Sequence, residues 1–121
     1  MVERKYDLED RLVEFAVLVC NLAERLPKTP VARQVANQLI RASTSAAPNY
    51  GEAHNAESRR DFIHKMSICL KELRETLVWL KFAKRKGYAR ESELDNALRE
   101  SDELVRIFAA GVRTATRNKD D

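Results

Sequence analysis

Glycine and proline are scarce in this chain, and their scarcity constrains the fold more than any other feature. Only three of each occur among 121 residues. These two residues supply many of the tight turns that β-sandwiches, barrels and doubly wound sheets need in large numbers. The sequence therefore favours a few long helices joined by short links. The length suits one domain, and 44% apolar residues are enough for its core without a disulfide or a metal.

Four segments with apolar residues at alternating steps of three and four cover nearly the whole chain. Asp7, Thr29 and Ser58 stand where N-caps are expected, Pro30 suits a first helical position, and Gly87 suits a helix end. The predicted helices span about 8–26, 31–47 with a possible extension to 54, 58–86 and 91–117. Such helices with short links predict an all-α, up-down-up-down four-helix bundle, a single domain over residues 1–121.

The apolar seams of these helices define the expected core. The side chains that we expect to be buried are Leu12, Phe15, Val19, Leu39, Met66, Leu70, Leu73, Leu77, Leu98, Val105 and Phe108. Small residues fill the second half of helix two, where we expect a neighbouring helix to approach closely. Pro48 lacks an N–H and its ring would clash with the carbonyl of Thr44, which predicts a kink or a break there.

Two helices carry more apolar residues than one seam requires. The additional residues are Val13, Val17, Leu18 and Cys20 in helix one and Phe62, Cys69, Trp79 and Phe82 in helix three. One interpretation is a broad core stripe, and the other is a second buried surface formed by self-association. The residues leave both interpretations open, and we expect a homo-oligomer.

No motif in the sequence indicates a cofactor, a metal or catalysis. The two histidines, His54 and His64, have Glu57 and Asp61 nearby, but their spacing matches no metal-ligand motif. Glycine-rich phosphate loops and nucleophile motifs do not occur. We therefore expect no catalytic, cofactor-binding or metal-binding residues, and a protein that is not an enzyme.

One enzymatic alternative rests on an Arg-x4-His pattern. Arg59 and His64 have the spacing used by ribonucleases of the HEPN class, in which the Arg steadies the scissile phosphate and the His transfers a proton. The residue after the Arg is Arg60, which fits that pattern poorly. This hypothesis is the main rival to a non-enzymatic function.

Positive charge clusters although the formal net charge is only +3. Residues 81–90 contain five basic residues and no acidic one, and three arginines recur every seven residues on one face of helix four. The candidate contacts with a phosphate backbone are Lys84, Arg85, Lys86, Arg99, Arg106 and Arg113. The alternative is a solvated face, in which basic residues complement a helix dipole and Arg99 pairs with Glu103.

Acidic residues of the middle helices have ordinary structural explanations. Glu52, Glu72 and Glu75 lack the Glu-x-x-His partners of di-iron bundles. We expect these carboxylates to form ion pairs with basic residues, for which the candidates are Lys65, Lys71 and Arg74.

The sequence lacks the features of a membrane or secreted protein. No apolar run approaches the length of a membrane span, and the N-terminal residues lack the apolar region of a secretory signal. Cys20 and Cys69 lie inside apolar helical patterns and are expected to be reduced core residues. We expect a cytoplasmic protein that does not associate with a membrane.

A long string of residues around the second and third helices resembles a known family. The string includes Arg41-Ala42-Ser43-Thr44-Ser45, Asn49-Tyr50-Gly51-Glu52-Ala53, Asp61-Phe62-Ile63-His64-Lys65, Lys71-Glu72-Leu73-Arg74-Glu75-Thr76 and Trp79-Leu80. It resembles the S23 family, also called 23S rRNA intervening-sequence proteins, and the likeness extends over about Tyr6 to Thr116. Pro48 departs from it, because the family tends to have a helix-compatible residue there.

The resemblance implies a small four-helix bundle that assembles into a homopentamer and has no established enzymatic activity. A related branch, the accessory proteins of diversity-generating retroelements, forms basic pentamers that bind nucleic acid and a reverse transcriptase. Expected partners are therefore other copies of the chain, with RNA, DNA, a reverse transcriptase or another protein left open. The leading hypothesis is an oligomeric scaffold or adaptor that contacts nucleic acid, and its rival is a purely protein-binding module.

Overall fold

A computed structural model of the chain describes residues 7–118, and within them it contains four helices and no strand. The helices are α1 (Leu8–Glu24), α2 (Pro30–His54), α3 (Arg59–Lys86) and α4 (Glu91–Arg117). Each packs against its neighbour in the chain, most extensively α2 against α3, and α1 meets α4 over a smaller area. This arrangement confirms the predicted all-α, up-down-up-down four-helix bundle.

The predicted helix signals operate as expected at most of the helix ends. The side chains of Asp7, Thr29 and Ser58 each accept a hydrogen bond from a backbone N–H of the following turn, at 3.0, 3.4 and 3.0 Å. Gly87 ends α3 in the left-handed conformation, with φ of 69°. Helix α1 ends two residues earlier than predicted, because Leu26 precedes a proline and is therefore disfavoured in the helical conformation.

Helix α2 continues through Pro48 to His54, so of the predicted kink or break the break does not occur, and the helix takes the longer of its two predicted extents. The missing N–H of Pro48 leaves the carbonyl of Thr44 without its helical donor. Both residues are exposed, so that carbonyl is open to water. One residue further on, Asn49 Nδ2 donates a hydrogen bond to the carbonyl of Ser45 at 2.9 Å. Solvation and this side-chain bond let the helix continue.

The core follows the predicted seams with a shift on α3 and α4. Eight of the eleven expected core residues are buried. The three others are half-buried, namely Leu77, Leu98 and Val105. The buried stripe instead runs through Thr76, Ala97 and Leu104. A seam drawn through the largest apolar residues misses Thr76 and Ala97, because small or polar side chains pack at the centre there. The hydroxyl of Thr76 is satisfied within the helix, since its Oγ1 donates to the carbonyl of Glu72 at 2.8 Å.

The small residues of α2 bring two other helices close to its backbone, as the sequence predicts. Ala42, Ser43 and Ala46 are fully buried. From α3, Cys69 Sγ donates to the carbonyl of Ala46 at 3.4 Å, and from α1, Cys20 Sγ lies 3.9 Å from Ser43 Oγ. Burial raises the pKa of the Cys69 thiol to about 12, which makes it a packing group rather than a nucleophile.

An arginine of α2 holds two carboxylates of α3. Arg41 Nη1 lies 3.2 Å from Glu72 Oε1, and its Nη2 donates to Glu75. The hydrogen bond to Glu75 raises the pKa of the Arg41 guanidinium. Glu72 is almost fully buried, and the guanidinium compensates the cost of removing that charge from water.

The predicted ion pair is confirmed for one of the three carboxylates. The two others form ion pairs, but with a different partner from those predicted. Glu52 pairs with Lys65 at 2.6 Å, as predicted. Within residues 7–118, Lys71 and Arg74 form no ion pair with Glu72 or Glu75. The reason is geometric, because a cross-helix arginine reaches both carboxylates at once and the neighbours on α3 point to solvent.

The seam between α1 and α4 is closed by charged side chains. Arg11 donates to Glu100 at 2.7 Å and to Glu103 at 2.6 Å, and its own side chain is largely shielded from water. The hydrogen bond to Glu100 raises the pKa of Arg11. Further along, Arg25 pairs with Glu93 at 2.8 Å. Ion pairs therefore supplement a small apolar contact.

Replacing the proline inside α2 is expected to stabilise the protein. Pro48→Ala restores an N–H for the carbonyl of Thr44 and raises the helix propensity, so we expect the free energy of unfolding to rise by about 1–3 kcal/mol. Urea denaturation followed by circular dichroism measures it. Pro30→Ala is the matched control, since proline is favourable at the first position of a helix and its loss is expected to bring no gain. A Pro48→Ala protein no more stable than wild type would contradict this account.

Removing the arginine that bridges α2 and α3 is expected to destabilise the bundle. Arg41→Ala leaves the buried carboxylate of Glu72 without its donor, which we expect to lower the free energy of unfolding by about 1–3 kcal/mol. Arg74→Ala, an exposed arginine on α3, is the control and is expected to change it by less than about 0.5 kcal/mol. Equal effects of the two substitutions in urea denaturation would show that the bridge contributes nothing.

Candidate nucleic-acid interface

The last turns of α3 and the first turns of α4 enclose an open groove of about 580 Å³. They face each other because Gly87 reverses the chain and α4 begins four residues later. The groove is lined by Leu77, Lys81, Lys84, Arg85, Glu91, Leu98, Arg99 and Asp102. Four of these residues are basic and two are acidic, so the groove has an excess of positive charge over an apolar floor of two half-buried leucines.

Carboxylates of α4 partly offset the charge of this groove. Lys84 Nζ lies 2.6 Å from Asp95 Oδ1, and this hydrogen bond raises the pKa of the lysine. Arg106 Nη2 lies 3.0 Å from Asp102 Oδ2, one turn earlier on the same helix. These two candidates therefore share their charge with a protein carboxylate.

The two arginines that line the groove keep their charge available to a ligand. Among residues 7–118, Arg85 and Arg99 have no carboxylate within ion-pair distance, and both are exposed. The predicted pairing of Arg99 with Glu103 is wrong, because Glu103 binds Arg11 on the other side of α4. A guanidinium with no intramolecular partner is suited to bidentate binding of a phosphate.

The structure brings together only part of the predicted set. Lys84, Arg85 and Arg99 share the groove. Lys86 lies outside it, with its Nζ 5.7 Å from the centre of the Tyr88 ring. Arg106 and Arg113 are exposed farther along α4, and the helical rise places Arg113 about 20 Å from Arg99. Three candidates thus line the groove, and two more continue the positive charge along α4 away from it.

The sequence-based prediction missed three features of this site. Lys81 lines the groove but was outside the predicted contact set, although its place one turn before Arg85 is a usable signal. The counter-charge of Asp102 on Arg106 was also visible as an i,i+4 pair. The partner of Lys84, Asp95, lies on another helix, and no local pattern indicates it.

The chain shows clear similarity to one family. The family model of the 23S rRNA-intervening sequence protein matches residues 4–110. The chain belongs to this family. A solved structure from Bacteroides thetaiotaomicron, described as a protein of unknown function from the S23 ribosomal protein family, is 32% identical with a TM-score of 0.76. The match covers 88% of this chain and 98% of that one, whereas no curated protein matches.

The family resemblance predicted from the sequence is therefore confirmed, and its characteristic residues have mainly structural positions. In this member of the 23S rRNA-intervening sequence family, Arg41, Glu72 and Glu75 of the string form the bridge between α2 and α3. Ser43 lies buried in the face of α2 that the cysteines contact. None of these four residues lines the basic groove.

The histidines and acidic residues lie at the other end of the bundle. A polar groove of about 550 Å³ contains His54 with Glu57 and Asp61, and the ring of His54 lies 4.5 Å from that of Tyr50. His64 does not line this groove. Across residues 7–118, no group of three side chains has an arrangement that would hold a metal ion.

Arg59 and His64, the residues of the ribonuclease hypothesis, do not converge within one chain. They are five positions apart on the continuous helix α3, which separates their directions by about 140°. Arg59 Nη1 donates to the carbonyl of Asn118 and thereby caps the end of α4. His64 is exposed.

In the part of the chain from 7 to 118, no helix is long and apolar enough to cross a membrane.

Proposed function

We propose that the protein is a non-enzymatic, homo-oligomeric scaffold that binds RNA or DNA through the groove between α3 and α4. The observation that carries the proposal is the meeting of Lys81, Arg85 and Arg99 in one open groove. Arg85 and Arg99 have no ion-pair partner among the described residues. Positive charge that is not consumed within the protein favours a polyanion as ligand.

The expected binding mode is contact with phosphates. Arg106 and Arg113 extend the positive charge along α4 over a length of several nucleotides. The groove offers no helix shaped to read base edges, so affinity is expected to depend little on sequence. Phosphate contacts release counterions, which makes such binding steeply dependent on salt.

Exposed apolar side chains support the homo-oligomeric part of the proposal. Several large apolar side chains are exposed on the single chain, among them Val17 and Val78 at 54% and 59%. Where exposed apolar side chains form a contiguous patch, the patch often marks a protein–protein contact. Five copies, the number that the family resemblance implies, would repeat a net charge of only +3 around one assembly and present several grooves to one nucleic acid.

Salt dependence and charge reversal test the groove. We expect fluorescence anisotropy with a labelled RNA to show an affinity that falls steeply with salt. Arg99→Glu is expected to weaken binding and to lower the slope of log affinity against log salt by about one. Arg99→Glu combined with Arg106→Glu is expected to abolish binding while the helical circular dichroism stays unchanged.

Arg60→Glu is the matched control, because it makes the same change of charge on an exposed arginine outside the groove. It is expected to retain most of the affinity. Binding that ignores salt, Arg99→Glu and the double substitution would contradict the nucleic-acid proposal and favour the rival, a protein-binding module such as an adaptor for a reverse transcriptase.

The ribonuclease hypothesis predicts RNA cleavage, whereas the non-enzymatic proposal predicts none. Because Arg59 caps α4 and points away from His64, we expect no cleavage of a generic RNA above the buffer control. Gel electrophoresis of a labelled RNA after prolonged incubation measures this. Cleavage by wild type that disappears in a folded His64→Ala variant would overturn the non-enzymatic proposal.

A further inference from the structure

An apolar side chain precedes each of the three arginines that recur along α4. The pairs are Leu98 with Arg99, Val105 with Arg106 and Val112 with Arg113. In every pair the apolar residue is half-buried and packs against the core, whereas the arginine is exposed. The pairs repeat every seven residues, which is about 10 Å along a helix. Helix α4 therefore carries an apolar strip beside a line of guanidinium groups.

The first of these pairs lies in the groove between α3 and α4. Leu98 lines the groove together with Leu77 of α3, and both leucines are half-buried. Lys81, Arg85 and Arg99 add positive charge around this apolar surface. The volume of about 580 Å³ is in the range of sites that hold a small organic molecule. The groove thus combines a surface for an anion with a surface for an uncharged, apolar group.

Carboxylates in and beside the groove limit where a phosphate can lie. Glu91 and Asp102 are among the lining residues, and Asp102 Oδ2 lies 3.0 Å from Arg106 Nη2. Lys84, another lining residue, is bound by Asp95. A phosphate placed next to any of these carboxylates is repelled. The ligand that fits the whole groove therefore has uncharged parts between its phosphates.

Duplex and single-stranded nucleic acids present different groups to such a groove. In a duplex the bases are stacked inside, so its outer surface consists of phosphates and sugars. Two packed helices lie about 8–10 Å apart, which is less than the width of about 12 Å that the major groove of DNA alone has. A duplex is therefore too wide to enter between α3 and α4. The bases of a single strand can turn outward and present their faces.

We infer that this groove binds single-stranded nucleic acid, with phosphates on Arg85 and Arg99 and base faces against Leu77 and Leu98. The inference rests on the proposed function and names the form of nucleic acid that the groove binds. The two later pairs on α4 continue the same arrangement away from the groove. Contact through base faces tolerates any sequence, because every base has such a face.

Three labelled probes test this inference on the wild-type protein. The first is a single strand of mixed cytosine and thymine, which does not pair with itself, and the second is the same strand annealed to its complement. The third is an abasic strand with the same number of phosphates as the first. Fluorescence anisotropy at one salt concentration is expected to show that the single strand binds about fivefold more tightly than the abasic strand, because only the former covers the leucines. We expect the duplex to bind more weakly than the single strand as well.

A substitution in the apolar floor separates base contacts from phosphate contacts. Leu98→Gln keeps the length and helix propensity of the side chain but makes it polar. We expect it to weaken binding of the single strand about threefold and to leave binding of the abasic strand unchanged. The slope of log affinity against log salt is also expected to stay the same, because no phosphate contact is lost.

Leu8→Gln is the matched control, because Leu8 is also half-buried but lies on α1 outside the groove. It is expected to bind all three probes like wild type. Val105→Thr repeats the test should Leu98→Gln lose its helical circular dichroism, and the comparison of the three probes needs no variant.

The inference and the proposed function fail in different ways. Equal affinity for the single strand and the abasic strand would overturn the inference and leave a phosphate-binding groove standing. A duplex that binds at least as tightly as the single strand would overturn it as well. A folded Leu98→Gln variant with unchanged affinity for the single strand would refute the contact between bases and leucines. The absence of salt-dependent binding to every probe would remove the proposed function itself.

Discussion

The closeness of α2 to its two neighbours is the constraint on which the bundle depends. Ala42, Ser43 and Ala46 present so little side chain that sulfur atoms from α1 and α3 reach a hydroxyl and a backbone carbonyl of α2. A larger residue at any of these buried positions would push a helix outward, because protein interiors have no spare volume. The same approach brings Arg41 within reach of α3, so the ionic bridge follows from the packing.

The position of the basic groove is a consequence of the same packing. Because α2 holds α3 in place, the last turns of α3 have a defined direction, and the turn at Gly87 folds α4 back against them. Charge is also sorted by helix. Basic residues concentrate at the end of α3, where they complement the helix dipole, whereas four of the five charged residues of α1 are acidic. The basic groove therefore differs in charge from α1 without needing a separate domain.

Local signals in the sequence predict most of the fold. The features that these signals do not predict depend on contacts between helices. Caps at Asp7, Thr29 and Ser58 and the apolar steps predict the helices closely. The helix does not break at Pro48, and local sequence could not predict this because the exposure of a carbonyl depends on the tertiary structure. For the site, the sequence identifies the basic residues and their seven-residue repeat. It does not identify that Lys84 meets Asp95, since that pairing depends on how two helices are aligned.

The seam between α1 and α4 gives the bundle one edge of a different kind from the other three. There the joint depends strongly on the ion pairs of Arg11 and Arg25, and dissolved salt screens such pairs far more than it weakens apolar packing. Local opening should therefore begin at this edge, and amide hydrogens of α1 should exchange with solvent sooner than those of α2 and α3. The ionic environment of the protein therefore sets how often this edge opens.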